Sequence, residues 1–482
     1  MMRASMSFSK MLGISTILSV LTGGVNFFIL VRLARVLGPS SYGMFSYTWT
    51  VTGIFAVFVS WGIPSWLMRE WARRDPSERA DLIAHGMQAT LRIGTVMWLL
   101  FIAATFVVPS LAAHRLLFWI WSIILWQAAI NLCWVFIADR RFAWVQWGIF
   151  FSAVLRAALI LWGVTSPAMI VRAVIITAVL SVMPTIANVL LVRRWIAWRW
   201  IDFSWQDTWR LLRVSMPMSV MTLVGPLFMG MDTWFLQIFD GSRAVGYYTV
   251  ASRPIVFLSL FTYAAFRLLY PVANRLVRDD RRPQKLPVFV QYTLWGLGAW
   301  VLPILGGGAI LSEEIIQTLF GAAYHVSGPV FALLLVSWAL GILREFLSII
   351  LVAAGHEAAY ARRMVLAGIG NVLLIIGGVR WGPAGVAAAL AVTQGGFLLE
   401  TVRMSRRFVA DMPSLSRIVW RLLGVAALAA AMTGIVWLTG RLQWPLGVRI
   451  VVGAVSYGAM LWVIPVLPLK AMRRVLHEMQ LV

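Results

Sequence analysis

Seven arginines stand inside long apolar segments of the chain, where a charge is costly unless it faces a cavity or a partner. The acidic residues at comparable positions are fewer, chiefly Asp232, Glu345 and Glu400. A guanidinium group presents its N–H donors as a planar fork, which suits bidentate binding of phosphate or carboxylate oxygens. The excess of cation over acid therefore predicts a site for an anionic ligand. The seven arginines are Arg32, Arg35, Arg92, Arg156, Arg253, Arg267 and Arg344.

Six of these arginines are candidate ligand-binding residues, each with a structural alternative. Arg35 lies within a turn of a glycine and can extend its charged end to the membrane surface, whereas Arg32 is one turn deeper on the same helical face. Arg253 stands next to a proline, which frees backbone groups of its helix. Arg267 is interpreted as an interface anchor and left out. The six candidates are Arg32, Arg35, Arg92, Arg156, Arg253 and Arg344.

The acidic residues near these arginines have two possible roles. Asp232 is a candidate for binding a coupling proton or sodium ion, or for balancing the charge of Arg253. Glu345 is adjacent to Arg344, and neighbouring helical side chains point about 100° apart, so the two need not pair. At the predicted cytoplasmic end of the second span, Arg69 and Glu70 form either a gate or an ordinary surface pair.

The sequence around these residues is that of an integral membrane protein. Of its 482 residues, 61% are hydrophobic and 12% charged, and the mean hydropathy is +0.85. Soluble domains carry roughly 25% charged residues, whereas apolar runs of about 20 residues, the length that crosses a membrane as a helix, recur along this chain. Barrel strands would show short alternating segments instead. We therefore predict an all-α polytopic membrane protein with about 14 transmembrane helices.

The loops between these helices differ in charge. Those on the side of both termini carry 28 Lys and Arg, and those on the other side carry 6. The positive-inside rule then places both termini in the cytoplasm. The net charge of +23 thus reflects topology and contact with anionic lipid, and it predicts no nucleic-acid partner. The spans are predicted over residues 12–36, 44–68, 82–108, 115–138, 146–164, 170–192, 212–238, 245–272, 287–311, 328–354, 361–379, 384–402, 418–438 and 447–467.

A repeat divides these spans into two sets. The Gly-x4-Gly segment Gly38–Gly43, followed by an aromatic residue, recurs at Gly241–Gly246, an offset of 203 residues. Six spans fit in each repeat, so both start on the same side of the membrane, as in transporters with parallel repeats and a substrate site between two lobes. We predict an N-terminal lobe of residues 1–205, a C-terminal lobe of residues 206–410, and residues 411–482 holding two extra helices and a cytoplasmic tail.

The sequence lacks the residue patterns of several functional classes. Cys133 is the single cysteine, and the five histidines lack metal-ligand spacing, so neither an intrachain disulfide nor a metal site is expected. No P-loop or dinucleotide fingerprint occurs, so we expect no cofactor, and any coupling is to a gradient of H+ or Na+, to membrane potential or to substrate consumption. A membrane glycosyltransferase would carry an acidic catalytic loop, a pattern that neither Asp279-Asp280 nor Glu313-Glu314 has.

Several motifs resemble those of one transporter family. Leu33–Gly43, Trp61–Pro64 and Arg69-Glu70 are similar to the opening of polysaccharide (O-antigen, Wzx-type) flippases, which belong to the multidrug/oligosaccharidyl-lipid/polysaccharide exporter superfamily. The resemblance continues in the second half and covers most of the first twelve spans. The similar segments there are Val245–Tyr248, Ala251–Arg253, Leu269–Pro271, Leu351–Gly355, Tyr360, Asn371 and Gly382–Ala388.

The resemblance implies a flippase that moves an undecaprenyl-diphosphate-linked oligosaccharide from the cytoplasmic to the periplasmic leaflet of a bacterial inner membrane by alternating access. Such a protein serves O-antigen, exopolysaccharide or capsule biosynthesis, and its expected partners are the glycolipid, the bilayer, a polysaccharide polymerase and a chain-length regulator. We expect a monomer. A drug or cation antiporter of the same superfamily and a lipid II flippase are the alternatives.

Overall fold

The computed structural model describes residues 8–195, 204–279, 282–409, 411–464 and 466–468. Within these ranges the chain is helical and contains no strand, which confirms the predicted all-α class. Both termini, residues 196–203 near the predicted boundary between the lobes, and the predicted cytoplasmic tail lie outside the described residues. Contacts divide the chain into two compact units, residues 1–249 and residues 250–482. The predicted lobe boundaries at residues 205 and 410 stay predictions.

Within residues 8–195 and 204–239, ten helices precede the second copy of the glycine segment. They are α1 (Phe8–Ser60), α2 (Ile63–Trp71), α3 (Arg79–Val107), α4 (Pro109–Ala112), α5 (Arg115–Trp121), α6 (Ile123–Ala129), α7 (Cys133–Ala138), α8 (Phe142–Gly163), α9 (Ile170–Trp195) and α10 (Trp205–Phe239). Short 3-10 turns at Pro76–Glu78 and Pro167–Met169 lead into α3 and α9.

Eight further helices follow in the described residues. They are α11 (Gly241–Val277), α12 (Arg282–Ile310), α13 (Ser312–Phe320), α14 (Ser327–Ala353), α15 (Glu357–Gly378), α16 (Gly382–Phe408), α17 (Leu415–Arg441) and α18 (Leu446–Val463). Two more 3-10 turns, Ala322–Tyr324 and Val379–Trp381, join helices of this part.

Glycines with positive φ interrupt the helical backbone. α1 is interrupted at Gly38, whose φ of 72° and ψ of 173° are not helical. Gly62 (φ 67°) precedes α2, and Gly382 (φ 64°) lies at the junction of the 3-10 turn and α16. Residues other than glycine rarely adopt such backbone angles, because their Cβ atom clashes with the backbone. The breaks at Gly38 and Gly382 separate segments that the sequence predicts as distinct spans, whereas Gly62 lies within the predicted second span.

The number of spans agrees with the prediction only in part. Among the described residues, 11 helical segments are long and apolar enough to cross a membrane. Two of these, Gly13–Trp71 with 59 residues and Glu357–Phe408 with 52, each include two predicted spans. The predicted seventh span corresponds to α10, which is not among the 11. The protein is therefore a multi-pass helical membrane protein, and the count of 14 stays a prediction.

The fourth predicted span, residues 115–138, is not one continuous helix. It is formed by α5, α6 and α7, which together make one candidate span. At the break before α7 the side-chain oxygen of Asn131 accepts the backbone N–H of Cys133 at 2.9 Å. An Asn side chain competes with the helical backbone in this way, and this accounts for the interruption.

In the first unit, α10 packs along the second half of α1 through small residues. A Cβ atom on Gly230 would lie 2.7 Å from Ile54 Cδ1 and 3.2 Å from Thr50 Cγ2. Just beyond the end of α1, a Cβ atom on Gly62 would lie 2.6 Å from the backbone nitrogen of Ser219 of α10. Small residues allow such close approach of helices in membranes, where packing replaces the hydrophobic effect as the driving force.

In the second unit, the Gly306-Gly307-Gly308 run is a packing surface of α12, although its composition suggests a flexible stretch. A Cβ atom on Gly307 would meet Met432 of α17 at 3.3 Å, and one on Gly308 would meet Leu335 of α14 at 2.7 Å. Tyr457 of α18 donates its hydroxyl to the Ala299 carbonyl of α12 at 3.0 Å. The two extra C-terminal helices therefore dock on α12.

Candidate functional site

Arg156 of α8 is partly buried and points at α1. Its Nη2 donates to Asn26 Oδ1 at 2.6 Å. Asn26 is neutral, and among the described residues no carboxylate lies within ion-pair distance of Arg156. The guanidinium charge of Arg156 is thus held in place by a hydrogen bond and is not neutralised by it.

Arg32 and Arg35 of α1 differ in exposure. Arg35 is exposed, whereas Arg32 is partly buried. The Nε atom of Arg32 is buried and makes no hydrogen bond to any described residue. An unsatisfied buried donor is costly, so Arg32 is suited to accept an anion as an additional partner.

Arg92 of α3 lies against the first turns of α10. Its Nη1 donates to Thr208 Oγ1 at 3.2 Å, and its guanidinium carbon stands 5.4 Å from the ring centroid of Trp205. α10 begins with a capping box in which Ser204 and Asp207 exchange hydrogen bonds. The fixed start of α10 therefore orients the ring and hydroxyl that contact Arg92.

Asp232 of α10 receives several hydrogen bonds within the first unit. Tyr248 donates its hydroxyl to Oδ2 at 2.6 Å, and the Thr233 backbone N–H donates to Oδ1 at 2.7 Å. These donors stabilise the carboxylate without a cation. Its proposed partner Arg253 belongs to the second compact unit.

Arg344 of α14 is the centre of a polar and aromatic cluster in the second unit. Its Nε donates to Gln394 Oε1 at 3.2 Å, its Nη1 to the Tyr360 hydroxyl, and its Nη2 to Glu345 Oε2 at 3.1 Å. Its guanidinium carbon lies 4.9 Å from the ring centroid of Phe397. Three helices, α14, α15 and α16, are thus linked through one side chain.

Glu345 does pair with Arg344, although adjacent helical side chains point in different directions. The side chain of Glu345 remains 39% exposed, compared with 14% for Arg344. Earlier in the same unit, on α11, Arg253 is partly buried and Arg267 is exposed. The interpretation of Arg267 as an interface anchor stays a prediction.

The predicted gate residues Arg69 and Glu70 lie at the end of α2. Glu70 pairs with Arg73 at 3.2 Å, one turn along, and Arg69 is exposed. Nearby, a cavity of about 350 Å³ opens between α2, α3 and α10. Its charged lining mixes signs, so it lacks the cationic excess that an anionic ligand needs. The titratable and charged residues that line it are Arg74, Glu78, Asp81, His85, Asp207 and Arg210.

The structure therefore distributes the predicted site residues over both units. Arg32, Arg35, Arg92, Arg156 and Asp232 belong to the first unit. The predicted gate residues Arg69 and Glu70 are in the first unit as well. Arg253, Arg344 and Glu345 are in the second, where Arg344 and Glu345 are in contact. Sequence reasoning missed the neutral partners of these charges, although polar residues inside apolar spans were a usable signal. The missed partners are Asn26, Trp205, Thr208, Tyr248, Tyr360, Gln394 and Phe397.

The family described as "Polysaccharide biosynthesis protein" matches residues 9–277 of the chain. This match includes all but the first eight residues of the first compact unit and the whole of α11, and it covers more than half of the sequence. No curated protein sequence matches the chain.

Solved structures share the fold at low sequence identity. A structure described as lipid II flippase MurJ in an inward closed conformation superposes with a TM-score of 0.74 at 15% identity, covering 92% of this chain and 96% of that one. An inward-facing multidrug resistance MATE family transporter gives 0.59 at 14% identity, covering 80% and 94%. A MOP superfamily transporter from Pyrococcus furiosus, described as having a binding pocket of reverse polarity, superposes with a TM-score of 0.53 at 15% identity, covering 83% of this chain and 96% of that one.

Proposed function

Because the chain belongs to the polysaccharide biosynthesis protein family, we propose that it is a flippase for an undecaprenyl-diphosphate-linked oligosaccharide. In this proposal the protein lies in a bacterial inner membrane with both termini in the cytoplasm. It moves the glycolipid head from the cytoplasmic to the periplasmic leaflet by alternating access, for O-antigen, exopolysaccharide or capsule biosynthesis. Homologous families are transporters, and the proposed activity breaks no covalent bond.

One observation carries the proposed substrate class: two guanidinium groups in membrane-spanning helices lack an acidic partner among the described residues. Arg156 donates to a neutral amide, and Arg32 keeps a buried Nε without an acceptor. An unpaired charge at this depth costs on the order of 3 kcal/mol on insertion scales. A diphosphate supplies two adjacent anionic groups with oxygens that match the guanidinium fork.

The same chemistry disfavours an organic cation as the main substrate. A cation site in a membrane requires carboxylates or an aromatic cage. Asp232 accepts two strong hydrogen bonds from protein donors, and Glu345 is paired with Arg344. The charges within the predicted spans are thus mainly positive.

The proposed transport cycle includes coupling residues, a gate and protein partners. Asp232 and Glu345 are the candidate sites for protonation or Na+ binding during the cycle, since both are carboxylates within predicted spans. Arg69 and Glu70 are proposed to act as a gate at the cytoplasmic end of α2. A polysaccharide polymerase and a chain-length regulator are the proposed protein partners, and the transporter itself is proposed to act as a monomer.

The proposed function is tested with purified protein in liposomes. Fluorescent undecaprenyl-diphosphate oligosaccharide is placed in both leaflets, and a membrane-impermeant quencher reports how fast it changes leaflet. We expect faster exchange than in protein-free liposomes and than in liposomes with an Arg32→Gln/Arg156→Gln variant. Exchange equal to that of protein-free liposomes would contradict the proposal.

The alternatives are separate arms of the same assay. Labelled lipid II replaces the oligosaccharide lipid in one arm, and ethidium efflux driven by a pH or Na+ gradient is measured in another. Preferential lipid II exchange would reassign the substrate within the flippases. Cation efflux without lipid exchange would make the protein an antiporter. Imposed gradients of H+ or Na+ identify the coupling ion.

A further inference from the structure

Two turns related by the repeat have the same backbone geometry. Gly38 and Gly241, 203 residues apart, have φ of +72° and +80°. Each is followed five residues later by a second glycine, Gly43 or Gly246, inside a helix. The two positive φ values show that the 203-residue offset relates equivalent turns.

The two turns contact each other reciprocally through their backbones. A Cβ atom on Gly43 would overlap the carbonyl oxygen of Ser242 and lie 2.9 Å from the backbone nitrogen of Gly246. A Cβ atom on Gly246 would overlap the carbonyl oxygen of Pro39. Pro39 and Ser242 are themselves 203 residues apart, so the two contacts are exchanged by the repeat.

The residues around this contact are tightly packed. Tyr42 and Val245 are fully buried, and Tyr248 is 4% exposed. Because the contact joins backbone to backbone, no side chain can rotate aside to open it. Packed interfaces of this kind have discrete arrangements and do not deform gradually. Separation therefore requires that α1 and α11 move as helices.

We propose that these turns, residues 38–43 and 241–246, form a glycine clasp that closes the outer side of the first unit and must part in each transport cycle. The charge distribution of the loops places both turns on the predicted periplasmic side. The clasp rests on the proposed function, because a glycolipid head leaves through this side only if the barrier opens. Its two glycines are proposed as positions that control the balance between closed and open states.

The test measures access to a residue behind the clasp. Thr50 lies on α1 beyond the clasp and packs against α10 at Gly230. Since Cys133 is the single native cysteine, Thr50→Cys in a Cys133→Ser background provides one reactive thiol. A membrane-impermeant maleimide is added from the periplasmic side of spheroplasts, and its labelling rate is compared between clasp variants and a matched control.

Gly43→Ala and Gly246→Ala are the clasp variants, because an added methyl group forces the carbonyls apart. Gly53→Ala is the control on α1, since nothing lies within 4 Å of its Cβ position. We expect the clasp variants to raise the labelling rate about tenfold by shifting the population towards the open state, and the control to leave it unchanged. Equal rates in all three folded variants would overturn the clasp.

A second measurement needs no substitution and applies even where the alanine variants fail to fold. Hydrogen–deuterium exchange is followed in the unaltered protein in liposomes for peptides covering residues 38–46 and 241–249. A clasp that parts predicts exchange of both peptides at one common opening rate. Lasting protection of both during active lipid exchange would overturn it. Clasp opening without any glycolipid exchange would instead contradict the proposed function and leave the clasp in place.

Discussion

Glu314 of α13 and Arg449 of α18, 135 residues apart, form a close ion pair. Arg449 Nη1 lies 2.5 Å from both carboxylate oxygens, and Nη2 donates to the Val436 carbonyl at 3.3 Å. The two side chains differ greatly in exposure, at 7% for Arg449 and 49% for Glu314. The pair therefore attaches α18 to α13, although α14, α15, α16 and α17 lie between them in the chain.

This difference in exposure predicts unequal costs of breaking the pair. Glu314→Gln leaves a buried guanidinium without a counter-charge and is expected to lower the free energy of unfolding by about 3 kcal/mol. Arg449→Met leaves a half-exposed carboxylate that water can solvate, so its cost is expected to be about 1 kcal/mol. Thermal or denaturant unfolding in detergent measures both. The double variant should resemble Arg449→Met, and additive losses would contradict the pairing.

Arg156 is expected to be more important for transport than for folding. Arg156→Gln keeps a donor to Asn26 but removes the charge, so glycolipid exchange should fall about tenfold or more, while the thermal midpoint changes little. Arg156→Lys keeps the charge as a single point and should retain an intermediate rate. Arg267→Gln, at an exposed position, is the matched control. A loss of transport equal in both glutamine variants would refute a specific role.

Arg253 and Arg267 allow a second comparison within α11. Arg253→Ala should impair transport much more than Arg267→Ala, since the first residue is partly buried in the helix and the second is exposed. The expected difference is about tenfold in initial rate, comparable to the loss of one charge-assisted hydrogen bond. Similar mild effects of both substitutions in the liposome assay would remove Arg253 from the candidate site.

The burial of His114 predicts how the stability of the folded protein depends on pH. It precedes α5 outside the spans, and burial lowers its pKa from the ordinary value of 6.5. The unfolded chain then binds more protons than the folded one near this pH, so stability is full above pH 6.5 and declines as the pH falls through that value. Thermal midpoints at pH 7.5 and pH 5.5 should differ less in His114→Gln than in the unaltered protein. An identical difference would show that other groups cause the decline.

Much of the architecture follows from the sequence because membrane-spanning helices have strong local signals. Apolar length defines the spans, and the glycines at 38 and 241 mark the breaks. The repeat offset was visible as a pattern of residue types. The interruption of the fourth span by Asn131 was not visible, because the side-chain hydrogen bond that causes it depends on local geometry.

The partners of the charged residues were harder to predict. Asn26 and Arg156 are 130 residues apart, and nothing in their local sequences indicates that they meet. Glu345 and Arg344 pair despite the angle between neighbouring helical positions, because a long arginine side chain can fold back. The sequence therefore indicates which residues are unusual in a membrane, while the tertiary fold decides which of them are neutralised.

The docking of α17 on the glycines of α12 has a consequence for exchange of segments between relatives. Gly298 faces Leu422, Gly307 faces Met432, and in each pair the absent side chain leaves room for the other. A chimera that receives its last two helices from another family member would need the matching α12 as well. The C-terminal helices and α12 would then have to be inherited, and transplanted, together.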